Sequence, residues 1–92
     1  MDKNKLYNIA AKKFLIKEGV LSFNEISGRH IVNQKAPLFT ILYGSYRFTW
    51  STTPHEVINK LYRKIKKDKE LKNKFLRFRN NYVKLTIISQ DE

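Results

Sequence analysis

Apolar residues near the start of the chain recur at helical spacing. Leu6, Ile9, Ala10, Phe14 and Leu15 predict a helix over Asn4–Glu18, with Gly19 placed to close it in a left-handed cap. From Val20 to Ile26 the period changes to two, Leu21 and Phe23 alternating with Ser22 and Asn24, which predicts a strand. Ser27-Gly28-Arg29 turns the chain, and His30-Ile31-Val32 begins a second strand that Asn33-Gln34-Lys35-Ala36-Pro37 disturbs. The pattern leaves open whether His30–Leu42 is one irregular strand or two short ones. Leu38–Trp50 then reads as a β-hairpin closed by Gly44-Ser45, since glycine in the first loop position suits a type II′ turn. One face of that hairpin holds Phe39, Ile41, Tyr43, Tyr46, Phe48 and Trp50.

Beyond it, Thr53 and Glu56 have the spacing of a capping box, and Pro54 falls on the first helical position. A helix from Pro54 to about Lys67 follows, with Val57, Ile58, Leu61 and Ile65 as its apolar stripe. Leu71, Phe75, Phe78 and Tyr82 continue a helical spacing out of phase with that stripe. A break is therefore expected, with Asp68 capping a further helix as far as Asn80-Asn81. Tyr82–Ile88 alternates well enough for a last strand. The fold class expected is α+β, with an antiparallel three- to four-stranded sheet and helices packed on one face: an α-β-β-β-α core plus a C-terminal helix and strand. The two amphipathic helices need an apolar partner, and the aromatic hairpin face is expected to supply it as core.

Composition sharpens this reading in three ways. A chain of 92 residues supports one domain, residues 1–92, with one core. The absence of cysteine excludes disulfides and thiolate metal sites, and two histidines make any metal site improbable, so no cofactor is expected. No apolar run approaches bilayer length and no secretory leader pattern is visible, so the expectation is a soluble, cytoplasmic protein with no membrane partner. Charge matters most: nineteen Lys and Arg against eight Asp and Glu leave a net +11, the balance of a domain that meets a polyanion. A lysine-favouring codon bias would produce the same excess without a ligand.

The excess is concentrated. Lys60–Arg79 holds ten Lys or Arg against Asp68 and Glu70. Lys60, Arg63, Lys64, Lys67, Lys72, Lys74, Arg77 and Arg79, supported by Lys12, Lys13 and Arg47, are the candidate contacts to a phosphate backbone. Most are lysines, which suit non-specific contact; base readout favours arginine. Double-stranded RNA or DNA recognised by shape is the expected partner. His30, at a strand start after a Gly-Arg turn, is the candidate general base on a ribose hydroxyl. His55 lies in the first turn of a helix, whose dipole disfavours protonation. An unpaired edge strand at Tyr82–Ser89 would be able to pair two chains into a homodimer.

The order helix, strand, strand, strand, helix resembles that of double-stranded-RNA-binding domains and of HicA-type toxins, which are compact RNA-cleaving domains. The resemblance to HicA rests on Lys17-Glu18-Gly19 closing the first helix, on Ser27-Gly28-Arg29-His30 opening the second strand, and on Thr53-Pro54 starting the later helix. It covers roughly residues 5–67 and implies a ribonuclease in which Gly28 and His30 carry over, His30 as the acid/base. Arg29 replaces the small residue of that pattern, and Asp68–Glu92 extends beyond it. The functional expectation is a small nucleic-acid-binding protein of a phage or mobile element. The alternatives are the HicA-like ribonuclease and a small inhibitor that docks on an acidic surface of a host protein.

Overall fold

A computed structural model describes residues 2–44 and 53–91, with side chains through Ser89. The described elements are α1 (Lys3–Lys17), β1 (Leu21–Asn24), β2 (Arg29–Val32), α2 (Pro37–Tyr43), α3 (Pro54–Ile65) and α4 (Lys69–Asp91). The Asp2 carboxylate caps α1 by accepting the Asn4 N–H at 3.1 Å. At its other end Gly19, at φ +78°, donates to Ile16 O and Val20 donates to Leu15 O, the paired bonds of a Schellman motif. Leu15 and Val20, the two residues that this motif brings together, are both fully buried.

The chain then enters a hairpin, with Leu21 opposite Val32 and Phe23 opposite His30. Asn24 shapes its turn. The Asn24 side-chain oxygen accepts the Ile26 N–H at 3.0 Å, its carbonyl accepts from Gly28 at 2.7 Å, and Gly28 takes φ +64°. Among the described residues β1 and β2 make the whole sheet. The expected three- to four-stranded sheet is therefore corrected to a two-stranded one, with four helices supplying most of the structure.

Two of the expected strands are helices. Leu38–Tyr43, the first arm of the supposed hairpin, belongs to α2, with Pro37 at its first turn. Phe39 and Tyr43 fit both periods. The positions that separate them are Leu38, which is buried, and Ile41, which is 46 % exposed, and these follow the helical period. The second arm, Tyr46–Trp50, lies outside the described residues. Tyr82–Ile88, the supposed last strand, is the continuation of α4. Asn80 and Asn81 have only modest helix penalties and do not stop it. Phe78 and Tyr82, one turn apart, stack at 6.5 Å, and the Thr86 hydroxyl donates to Tyr82 O. The edge-strand route to a homodimer goes with that strand.

The remaining boundaries follow the sequence pattern. Thr53 caps α3 by accepting the Glu56 N–H at 3.3 Å. The helix ends at Ile65, and Asp68 starts α4 by accepting the Leu71 N–H at 3.1 Å, so 54–80 is broken as the slipped register implied. The core forms where α1, α3 and α4 meet. Phe14 sets its ring edge-on to Phe75 at 5.3 Å and lies 5.6 Å from Phe78. Tyr62 of α3 reaches the same cluster, 6.0 Å from Phe75, while its hydroxyl donates to Tyr7 O on α1 at 3.2 Å.

Two substitutions test this architecture, the first its core and the second the helical reading of α2. Phe75→Ala is expected to lower unfolding free energy by about 3–5 kcal/mol, the range for deleting a buried aromatic ring. Ile41→Ser is expected to stay within about 0.5 kcal/mol, since Ile41 faces solvent on α2. Urea unfolding followed by circular dichroism measures both, and a large loss at Ile41 would restore the hairpin.

Candidate nucleic-acid interface

Helical spacing assembles a basic ridge on α3. Lys60, Arg63 and Lys64 stand three and four residues apart, and Lys67 follows one further turn along in the α3–α4 connection. Val57 and Leu61 are fully buried, and the ridge runs along the flank of that stripe, with Lys60 and Lys64 half-buried beside it and Arg63 and Lys67 exposed. Across from it α2 contributes Leu42 and Tyr43. These six residues line an open groove of about 290 Å³, and no acidic side chain is among them.

The groove wall is electrostatically biased. Lys60 Nζ sits 4.4 Å above the Tyr43 ring, a cation–π contact that holds the ammonium on the groove side of α2. The Tyr43 phenol is pushed up to about 12, by burial first and by the Glu56 charge second, with Arg63 opposing. It therefore stays neutral near pH 7 and adds no negative charge. Arg63, Lys64 and Lys67 form no ion pair among the described residues. Arg63, Lys64 and Lys67 can bind phosphate oxygens without first breaking an ion pair to another described residue, while Lys60 is held against the Tyr43 ring.

The other basic candidates are distributed differently. Lys74 pairs with Glu18 at 2.9 Å, tying α4 to the end of α1. It borders a shallow groove of about 400 Å³ with Arg77 and with Lys17, whose ammonium lies 5.2 Å from the Phe78 ring. The Arg79 guanidinium stacks on Tyr7 at 4.2 Å and lies 6.0 Å from Phe75, while its Nε is buried without a hydrogen-bond partner among the described residues. Arg79 thus packs α4 against α1. Lys72 is exposed on α4 outside both grooves, Lys13 is exposed on α1, and Arg47 lies outside the described residues.

His30 stands apart from the ridge, on β2. Its ring meets Phe23 edge-on at 5.1 Å. Burial first, then the Lys12 charge, holds the imidazole below its ordinary value, so the neutral form dominates near pH 7. Among the described residues no group of three or more His, Cys, Asp or Glu side chains could hold a metal ion. His55 is exposed at the start of α3.

Sequence reasoning missed the α2 wall of the groove and the packing role of Arg79. Both had a signal. Leu38, Phe39, Leu42 and Tyr43 form a helical stripe as well as a partial alternation, and Arg79 lies four residues after Phe75 on the stripe that faces the core. Comparison with protein-family models, with characterised proteins and with solved structures finds no match for the chain. No described helix is long and apolar enough to cross a membrane.

The His30 environment gives a pH prediction. A depressed folded-state pKa means that the neutral imidazole stabilises the fold fully above 6.5, the ordinary value, and that this contribution is lost as pH falls from there through the lower folded value. Thermal unfolding between about pH 5 and pH 7.5 should therefore show stability rising with pH, and His30→Asn should flatten that rise. An unchanged profile in the variant would assign the dependence to other groups.

Proposed function

We propose that this chain is a small basic nucleic-acid-binding protein that contacts phosphates through the α3 ridge. The observation that carries the reading is the convergence of Lys60, Arg63, Lys64 and Lys67 on one groove lined by no acidic side chain, in a chain of net charge +11. Three of the four cations are lysines, mobile point charges that follow a backbone rather than read base edges. A duplex approached from the ridge presents phosphates at regular intervals along its surface, and shape recognition of double-stranded RNA or DNA fits that geometry. Phosphate neutralisation releases condensed counterions, so affinity should fall steeply with salt.

Fluorescence anisotropy with labelled duplexes at several salt concentrations tests the reading. Replacing all four ridge cations by Gln is expected to reduce the slope of log affinity against log salt by about 3–4, close to one unit per lost phosphate contact. Lys3→Gln with Lys5→Gln removes two charges at the far end of α1 and should change the slope much less. Equal slopes for wild type and the ridge variant would defeat the proposal, as would undetectable binding of the wild type to every duplex.

A second reading, a HicA-like ribonuclease, is favoured by one observation: the neutral His30 imidazole lies close enough to Lys12 to feel its charge. A neutral imidazole can take a proton from a ribose hydroxyl, and an adjacent ammonium can stabilise charge that develops on the phosphate. RNA degradation that vanishes in His30→Ala, with the circular dichroism spectrum retained, would support it. Cleavage that survives the substitution would remove it.

A further inference from the structure

The last turns of α4 expose large apolar side chains. From Tyr82 to Ile88 the helix is apolar at Tyr82, Val83, Leu85, Ile87 and Ile88, which lie all round its circumference. A helix apolar on all sides is ordinarily buried. Here Leu85 is 58 %, Ile88 48 % and Ile87 45 % exposed. Tyr7 and Lys3 of α1 approach only one flank, leaving an open groove of about 450 Å³ against Val83 and Ile87.

Charge identifies what fits there. Residues 80–92 carry one cation, Lys84, against Asp91 and Glu92, a net of −1, so residues 1–79 carry +12 of the total +11. Two copies of so basic a chain repel one another across most orientations. The end of α4 is where two copies can meet without bringing lysine clusters together. An anionic bilayer or a phosphate backbone would instead call for a frame of several cations around the apolar residues, and of the residues lining this groove only Lys3 and Lys84 are cationic.

We propose that the C-terminal end of α4 is a self-association surface that takes a second copy of this chain. An isologous, antiparallel pairing of the two helices buries Leu85 and Ile88 of each copy and brings each Lys84 toward the acidic end of the other helix. The same residues suggested pairing as an edge strand; as a helix they offer side-chain packing instead of a backbone ladder.

The test is sedimentation velocity on the full chain, nuclease-treated and free of nucleic acid, from about 10 to about 500 µM at low and high salt. The expected result is a concentration-dependent species of twice the 11.0 kDa monomer mass, strengthened by salt because salt screens the repulsion between copies. Leu85→Glu with Ile88→Glu should weaken association at least about tenfold with helicity unchanged, since both residues are exposed in the monomer. Ile26→Glu, at the 99 % exposed hairpin tip, should leave it intact. A monomer across the whole range overturns the proposal, as does a dimer that ignores the α4 variant or is lost in the hairpin variant. A monomer whose α4 end instead binds phosphatidylserine vesicles would assign the patch to lipid and overturn it equally.

Discussion

The meeting of Phe14 with Phe75 is the contact on which the other placements depend. It joins α1 to α4, the longest described helix, and through Tyr62 it gathers α3 into the same cluster. The hairpin and α2 follow α1 through the Schellman closure at Gly19 and the bond from Asn33 N to Val20 O. A chain of 92 residues has room for one such cluster and little redundancy around it. Fully burying Val57 and Leu61 against this core sets the roll of α3 and leaves the ridge along the edge of the buried stripe, beside α2.

The basic side chains divide according to what the fold asks of them. Arg79 packs between α1 and α4, and Lys74 closes an exposed ion pair of the kind that stabilises by less than about 1 kcal/mol. Lys60 leans on Tyr43, and Arg63, Lys64 and Lys67 surround the groove. Net charge alone would not distinguish these roles, because structural and ligand-facing cations look alike in composition. Position relative to the apolar stripe does distinguish them: Arg79 shares the stripe of Leu71 and Phe75, whereas the ridge flanks the stripe of Val57 and Leu61, with Arg63 and Lys67 exposed.

Local signals with a single physical meaning were legible in the sequence: the Gly19 cap, the Thr53 cap followed by Pro54, the turn around Gly28, and the break that Asp68 closes. Each depends on a few neighbouring residues whose chemistry suits one backbone conformation. The two strands that proved to be helices show the converse. Over Leu38–Tyr43 and Tyr82–Ile88 the β-branched and aromatic residues satisfy both periods; burial of Leu38 beside exposed Ile41 decides the first, and continuation of α4 through Asn80-Asn81 decides the second. The supposed sheet was assembled from those ambiguous segments. The ridge was legible because α3 was, while its α2 wall was hidden by the error in α2. His30 was placed on the correct strand, but its pairing with Phe23 and its nearness to Lys12 follow from the hairpin register and the packing of α1, which spacing alone does not give.

The proposed meeting of nucleic acid with this chain is at the α2–α3 groove. Its most direct measurement is a two-dimensional amide NMR titration with a short duplex at low salt. The expected result is a saturable set of shifts at Leu42, Tyr43 and Lys60–Lys67, reversed by added salt, with the amides around His30 unmoved. Shifts centred on the hairpin, or no shifts at saturating duplex, would contradict it.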